Sequence, residues 1–64
     1  MTLKILITPT ALTFKELTDK EYQELTKLYK LENEDDGDYT IHGTREELFN
    51  VLLNLSFNHD IELV

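Results

Sequence analysis

The residues of this 64-residue chain with the most chemical potential are its carboxylates, thirteen Asp and Glu against six Lys and Arg. Five of them, Glu32, Glu34, Asp35, Asp36 and Asp38, crowd one short segment around Gly37. Oxygen ligands at set positions of one loop are what a hard divalent cation requires. Glu32, Glu34, Asp36 and Gly37 match the first, third, fifth and sixth positions of an EF-hand loop. The match fails where that pattern is most specific. Its last position needs a bidentate Glu and holds Gly43, and its aliphatic position is Tyr39. The segment therefore reads as a solvated acidic loop, because a block of like charge is usually a solvated or interacting surface.

Other chemistry fares no better. His42 and His59 stand near Asp38 and Asp60, but no His-x-x-x-His or comparable spacing supports a metal site. His59 suits the negative end of a helix, and His42 alternates with Ile41 and so should face outward. Nucleophilic catalysis needs Ser or Cys beside a base; Cys is absent, and the only serine, Ser56, lies among apolar residues late in a helical stretch. Gly37 and Gly43 sit among acids that would repel a phosphate. Glu46 and Glu47 open a helix, where the macrodipole accounts for them. No cofactor, metal or enzyme class is expected.

The elements that hold these residues follow from pattern. Leu3 to Ile7 is a β-branched apolar run stopped by Thr8-Pro9, which suits a buried strand. Residues 10–17 fit either a returning strand or a lead into the next helix. Thr18 with Glu21, and Thr44 with Glu47, are capping boxes. They predict helices over about Asp19–Leu31 and Arg45–Asn58. In the first helix Tyr22, Leu25, Leu28 and Tyr29 form one apolar stripe opposite Lys20, Glu24, Lys27 and Lys30. Tyr39 to His42 alternates as a strand ended by Gly43, and Ile61–Val64 closes the chain as another. The expected fold is a single α/β (or α+β) domain over residues 1–64, with one layer of three or four strands packed by two helices in β-α-β-α-β order. A strand-helix-strand unit from Tyr39 to Val64 would be parallel if both its strands share one sheet.

The second helix is apolar over too much of its circumference. Leu48, Phe49, Val51, Leu52, Leu53 and Leu55 sweep roughly 200° at 100° per residue, twice what a core-facing stripe needs. Phe49, Val51, Leu53 and Phe57 are therefore candidates for a partner or dimer surface, since exposed apolar patches mark association sites. A chain this short has a core that supplies only about 3–5 kcal/mol, which gives a second subunit something to stabilise.

Charge is also uneven. Residues 1–30 carry five lysines and four acids, whereas residues 31–64 carry Arg45 and nine acids. That balance repels nucleic acid and anionic membrane, both of which are held through Lys and Arg. With no cysteine, no apolar stretch of the ~20 residues a membrane span requires, and only Ile5, Leu6 and Ile7 between Lys4 and Thr8-Pro9, the expectation is a cytoplasmic protein.

Two readings follow. In the first, the chain is a non-enzymatic inhibitor or modulator whose second half engages a larger basic, nucleic-acid-handling enzyme. Glu32, Glu34, Asp35, Asp36, Asp38, Glu46 and Glu47 would then stand in for phosphates. Its size and acidity are similar to those of phage-encoded anti-defence and anti-CRISPR proteins, a likeness of class that no motif carries. In the second, it is a homodimeric structural or assembly subunit joined through helix two.

Overall fold

The computed structural model describes residues 2–35 and 37–64. Seven elements follow one another: β1 (Thr2–Thr8), β2 (Ala11–Lys15), α1 (Asp19–Thr26), β3 (Glu32–Asp35), β4 (Asp38–His42), α2 (Arg45–Asn58) and β5 (Asp60–Leu63). The strands form one mixed sheet in the order β3-β4-β2-β1-β5.

The chain makes the same move twice, a hairpin and then a crossover helix. β1 and β2 pair antiparallel, as do β3 and β4. Because β4 is antiparallel to β2, β3 runs with β2, and α1 carries the chain over β4 to reach the outer edge. Likewise β4 runs with β1, and α2 crosses two strands so that β5 lies parallel to β1. The parallel relation expected within residues 39–64 holds, with two strands lying between its members.

The strand registers sort the side chains into two faces. Ile5 is level with Phe14 and Phe14 with Tyr39; Ile7 is level with Leu12 and Leu12 with Ile41; Leu3 is level with Ile61. These point towards the helices. Leu3, Ile5, Leu12, Phe14 and Ile41 form one buried cluster with Leu25 of α1 and Leu48 and Leu55 of α2. Both helices therefore cover the same face, and the other is left open, as antiparallel sheets allow. Tyr22 also stacks its ring on Tyr39 at 4.4 Å.

Three expectations need correction: the number and order of strands, the acidic segment and the end of the first helix. The five-stranded order is β-β-α-β-β-α-β, because residues 11–15 form β2 and the acidic segment forms β3. An edge strand is held through backbone hydrogen bonds on one side only, so Glu32–Asp35 pairs with β4 without burying any apolar side chain. α1 ends at Thr26, five residues short of Leu31, where Leu28 N–H turns back to Leu25 O at 3.1 Å and Leu28 swings into solvent. β1 is a buried strand as expected, through the face that carries Leu3 and Ile5, with Leu6 on the open side.

Both capping boxes are present with matching geometry. Thr18 Oγ1 accepts from Glu21 N–H at 3.2 Å while Glu21 accepts from Thr18 N–H at 2.9 Å, and Thr44 and Glu47 repeat both distances. The turn into β4 depends on Gly37, whose φ is +78°. A Cβ there meets only Glu16 Cα at 3.8 Å, so the cost of substitution is conformational rather than steric. Gly37→Ala is expected to lose about 1–2 kcal/mol in a urea melt, the penalty of the left-handed region for an L-residue. No measurable loss would show that the turn relaxes to another form.

Candidate protein-binding surfaces

The open sheet face is built by strand alternation. Across the sheet it presents Glu32, then Asp38, Thr40 and His42, then Ala11, Thr13 and Lys15, then Thr2, Lys4, Leu6 and Thr8, then Asp60 and Glu62. Acids thus lie on both edges, and two lysines occupy the middle. Lys4 and Lys15 are register neighbours, and like charges facing one another are destabilising. Each has its own carboxylate: Lys4 Nζ lies 3.2 Å from Glu16 and Lys15 Nζ 3.2 Å from Asp38. Between them and β4, the hydroxyls of Thr13 and Thr40 meet at 3.0 Å, which accounts for the buried Thr40 side chain.

Asp38 is the most constrained acid of the set. Its second oxygen accepts from Glu16 N–H at 3.2 Å, and that bond, followed by the one from Lys15, holds its carboxyl below its ordinary value of 3.8. A depressed pKa in the folded state stabilises the fold above the unfolded value, and this contribution is lost as pH falls through the lowered one. Asp38→Asn should therefore remove part of the loss of stability seen on acidification below pH 3.8. A carboxyl NMR titration with a midpoint at or above that value would contradict the assignment.

His42 has unexpected partners. The imidazole Nε2 lies 3.0 Å from Glu32 and 3.8 Å from Glu34, and Asp38 is not among its contacts. These three donors converge within 4.8 Å, the one such group of three among the described residues, and all three side chains are exposed. The arrangement is an imidazole between two carboxylates, an ion pair whenever His42 is protonated. β3 carries the two carboxylates of this grouping, and its polar composition gave no apolar signal by which the strand could be read.

The acidic set foreseen from sequence is divided by the fold. Glu32, Glu34 and Asp38 share the β3–β4 side, and Asp35 belongs to the same hairpin. Asp36 lies outside the described residues. Glu46 and Glu47 belong to the first turn of α2, in the helix layer. There the Glu47 carboxylate is tied to Thr44 N–H, which lowers its pKa.

The apolar set divides in a more useful way. Val51 packs against the core and is withdrawn from the candidate surface. Phe49, Leu53 and Phe57 remain in solvent at 64%, 46% and 75% exposure, and Phe57 does not fold back under β5. They are spaced by four residues, so they form one stripe along α2. Two hollows flank it. One, of about 350 Å³, lies between α2 and the β1–β2 turn and is lined by Ile7, Leu12, Leu48, Phe49 and Leu52 among others. The other, of about 330 Å³, separates α2 from α1 and has Leu28 and His59 on its walls. Sequence periodicity did not find Leu28 or Ile7 as surface residues, because one depends on an early helix stop and the other on which strand end the helix covers.

No family model, no curated protein and no solved structure matches this chain. Fold and surfaces together define a small two-layer α/β protein with an open polar sheet face and an uncovered apolar helix stripe. None of its helices is long and apolar enough to cross a membrane, among the described residues.

Proposed function

We propose that this protein acts without catalysis, as a binding modulator whose acidic sheet layer docks on a larger basic protein. The observation that carries this reading is the segregation of charge between its layers. Among the described residues, 2–16, 32–35, 37–42 and 60–64, the sheet and its turns, hold seven acids and two lysines; residues 17–31 and 44–59, the helical segments, hold five acids and four bases. Five of the six net negative charges of the described residues therefore belong to one layer.

Within that layer the β3–β4 edge is the densest part. Glu32 and Glu34 are two residues apart on one strand, about 6.6–6.8 Å, and Asp38 stands beside them. A row of carboxylates on an exposed strand meets Lys and Arg much as phosphates do, and a surface of one sign speeds encounter with an oppositely charged cleft. The partner class that fits is a nucleic-acid-handling enzyme with a Lys/Arg-lined cleft.

The test compares the wild-type chain with Glu32→Gln/Glu34→Gln as baits in host lysate, at low and high salt. A basic nucleic-acid enzyme held by the wild type at low salt, and lost both at high salt and with the double variant, is the expected result. Equal retention by the variant would remove the acidic edge from the interaction.

A further inference from the structure

The uncovered stripe of α2 faces a second copy of this chain, and we infer that the protein pairs with itself through antiparallel α2 helices crossing at Leu53. The first support is charge. In a chain that is 30% charged, residues 48–58 carry no charge at all. The helix layer is close to neutral, so two copies of net charge −7 can meet there with their acidic sheets turned away from each other. A basic partner finds no carboxylate along this stripe, whereas an identical neutral stripe meets no repulsion.

The second support is shape. A two-fold axis beside Leu53 brings Phe49 of one copy to Phe57 of the other, because both lie four residues from the axis. The hollow of about 350 Å³ sits against Phe49, with Ile7, Leu12 and Leu52 on its walls. Phe57, three-quarters exposed at the far end of the stripe, is the ring placed to enter that hollow in the other copy.

The third support is area. At their observed exposures Phe49 and Phe57 offer roughly 200–350 Å² between them, taking about 150–250 Å² for a whole ring. A standard interface buries about 800 Å² per partner. Leu53, the uncharged Asn50, Asn54 and Ser56, the walls of the hollow and the exposed Leu28 beside α2 supply the remainder. Such a layout, an apolar centre bordered by uncharged polar groups, matches the depletion of charge at interface cores.

Light scattering across a dilution series tests this. The wild type should show twice its 7.5 kDa mass, unchanged by high salt, and dissociate on dilution. Leu53→Asp sets two carboxylates face to face at the axis and should weaken pairing at least about a hundredfold, with circular dichroism confirming that the fold survives. A second variant uses the absence of cysteine. With copper–phenanthroline added as the oxidant, Leu53→Cys should form a disulfide-linked dimer at least about tenfold faster than Lys4→Cys on the open sheet face, because only the first thiol meets its own copy at high effective concentration. A wild type that stays at 7.5 kDa throughout, or Leu53→Cys and Lys4→Cys cross-linking at equal rates, would overturn the inference. The acidic edge plays no part in pairing, so Glu32→Gln/Glu34→Gln should leave the mass unchanged.

Discussion

Phe14→Ala is expected to abolish cooperative folding at room temperature. Phe14, on β2, is the largest wholly buried side chain among the described residues. It is level with Ile5 on one side and Tyr39 on the other, directly beneath the helices. Truncating a buried Phe to Ala typically costs about 3–5 kcal/mol, since the cavity adds to the lost transfer energy. A core in a chain of this size supplies only about 3–5 kcal/mol in all. The variant should therefore show collapsed NMR dispersion and no thermal transition. A sharp melt within a few degrees of the wild type would mean that the sheet closes around the gap.

Leu25→Ala should produce a different failure, local rather than global. α1 is one of two covering helices but has only eight residues, and Leu25 is its one buried apolar side chain. Isolated helices of that length do not persist in water, so α1 exists because it is docked. Removing the Leu25 side chain costs about 2–5 kcal/mol, and that loss falls on an element held otherwise by the Tyr22–Tyr39 stack and its Thr18–Glu21 box. Amide exchange should lose protection over residues 19–26 while β1, β2 and β4 keep theirs, as expected for a cooperative subunit of low stability. Protection lost uniformly across all strands would show that α1 and the sheet open together.

The parts of the fold legible in sequence were those set by local chemistry. Both helix starts followed from Thr-x-x-Glu, and the stretch Arg45–Asn58 followed from that box and the sustained apolar pattern. β1 and β4 followed from alternation or β-branched runs that lead into turn residues. β3 was not legible, because Glu-Asn-Glu-Asp offers a backbone edge and no hydrophobic signal. The end of α1 was not legible either: Leu28 and Tyr29 continue the helical spacing, yet Leu28 stands in solvent and only Tyr29 and Leu31 pack, partly buried, against the core. On the candidate surfaces, the excess of apolar residues on α2 was readable, and three of the four positions singled out, Phe49, Leu53 and Phe57, are exposed. Val51 was misjudged because counting residues around a helix does not say where the core is centred. The pairing of His42 with Glu32 and Glu34 required the β3–β4 register, which no single strand encodes.

The pairing of β1 with β5 bears on how quickly the chain finds its fold. Thr2 is level with Asp60 and Ile5 with Leu63, so this contact closes a loop that takes in nearly the whole polypeptide. The two hairpins close short loops and need little search, but the last parallel strand must wait until both crossovers are in place. Until then Leu3 and Ile5 hold an unpaired, apolar strand edge open to any neighbouring chain. Refolding should accordingly be slow for so short a chain. Its rate should respond to substitutions in β1 and β5 far more than to substitutions in the β3–β4 hairpin, and the interval before β5 docks is when the molecule is most exposed to aggregation.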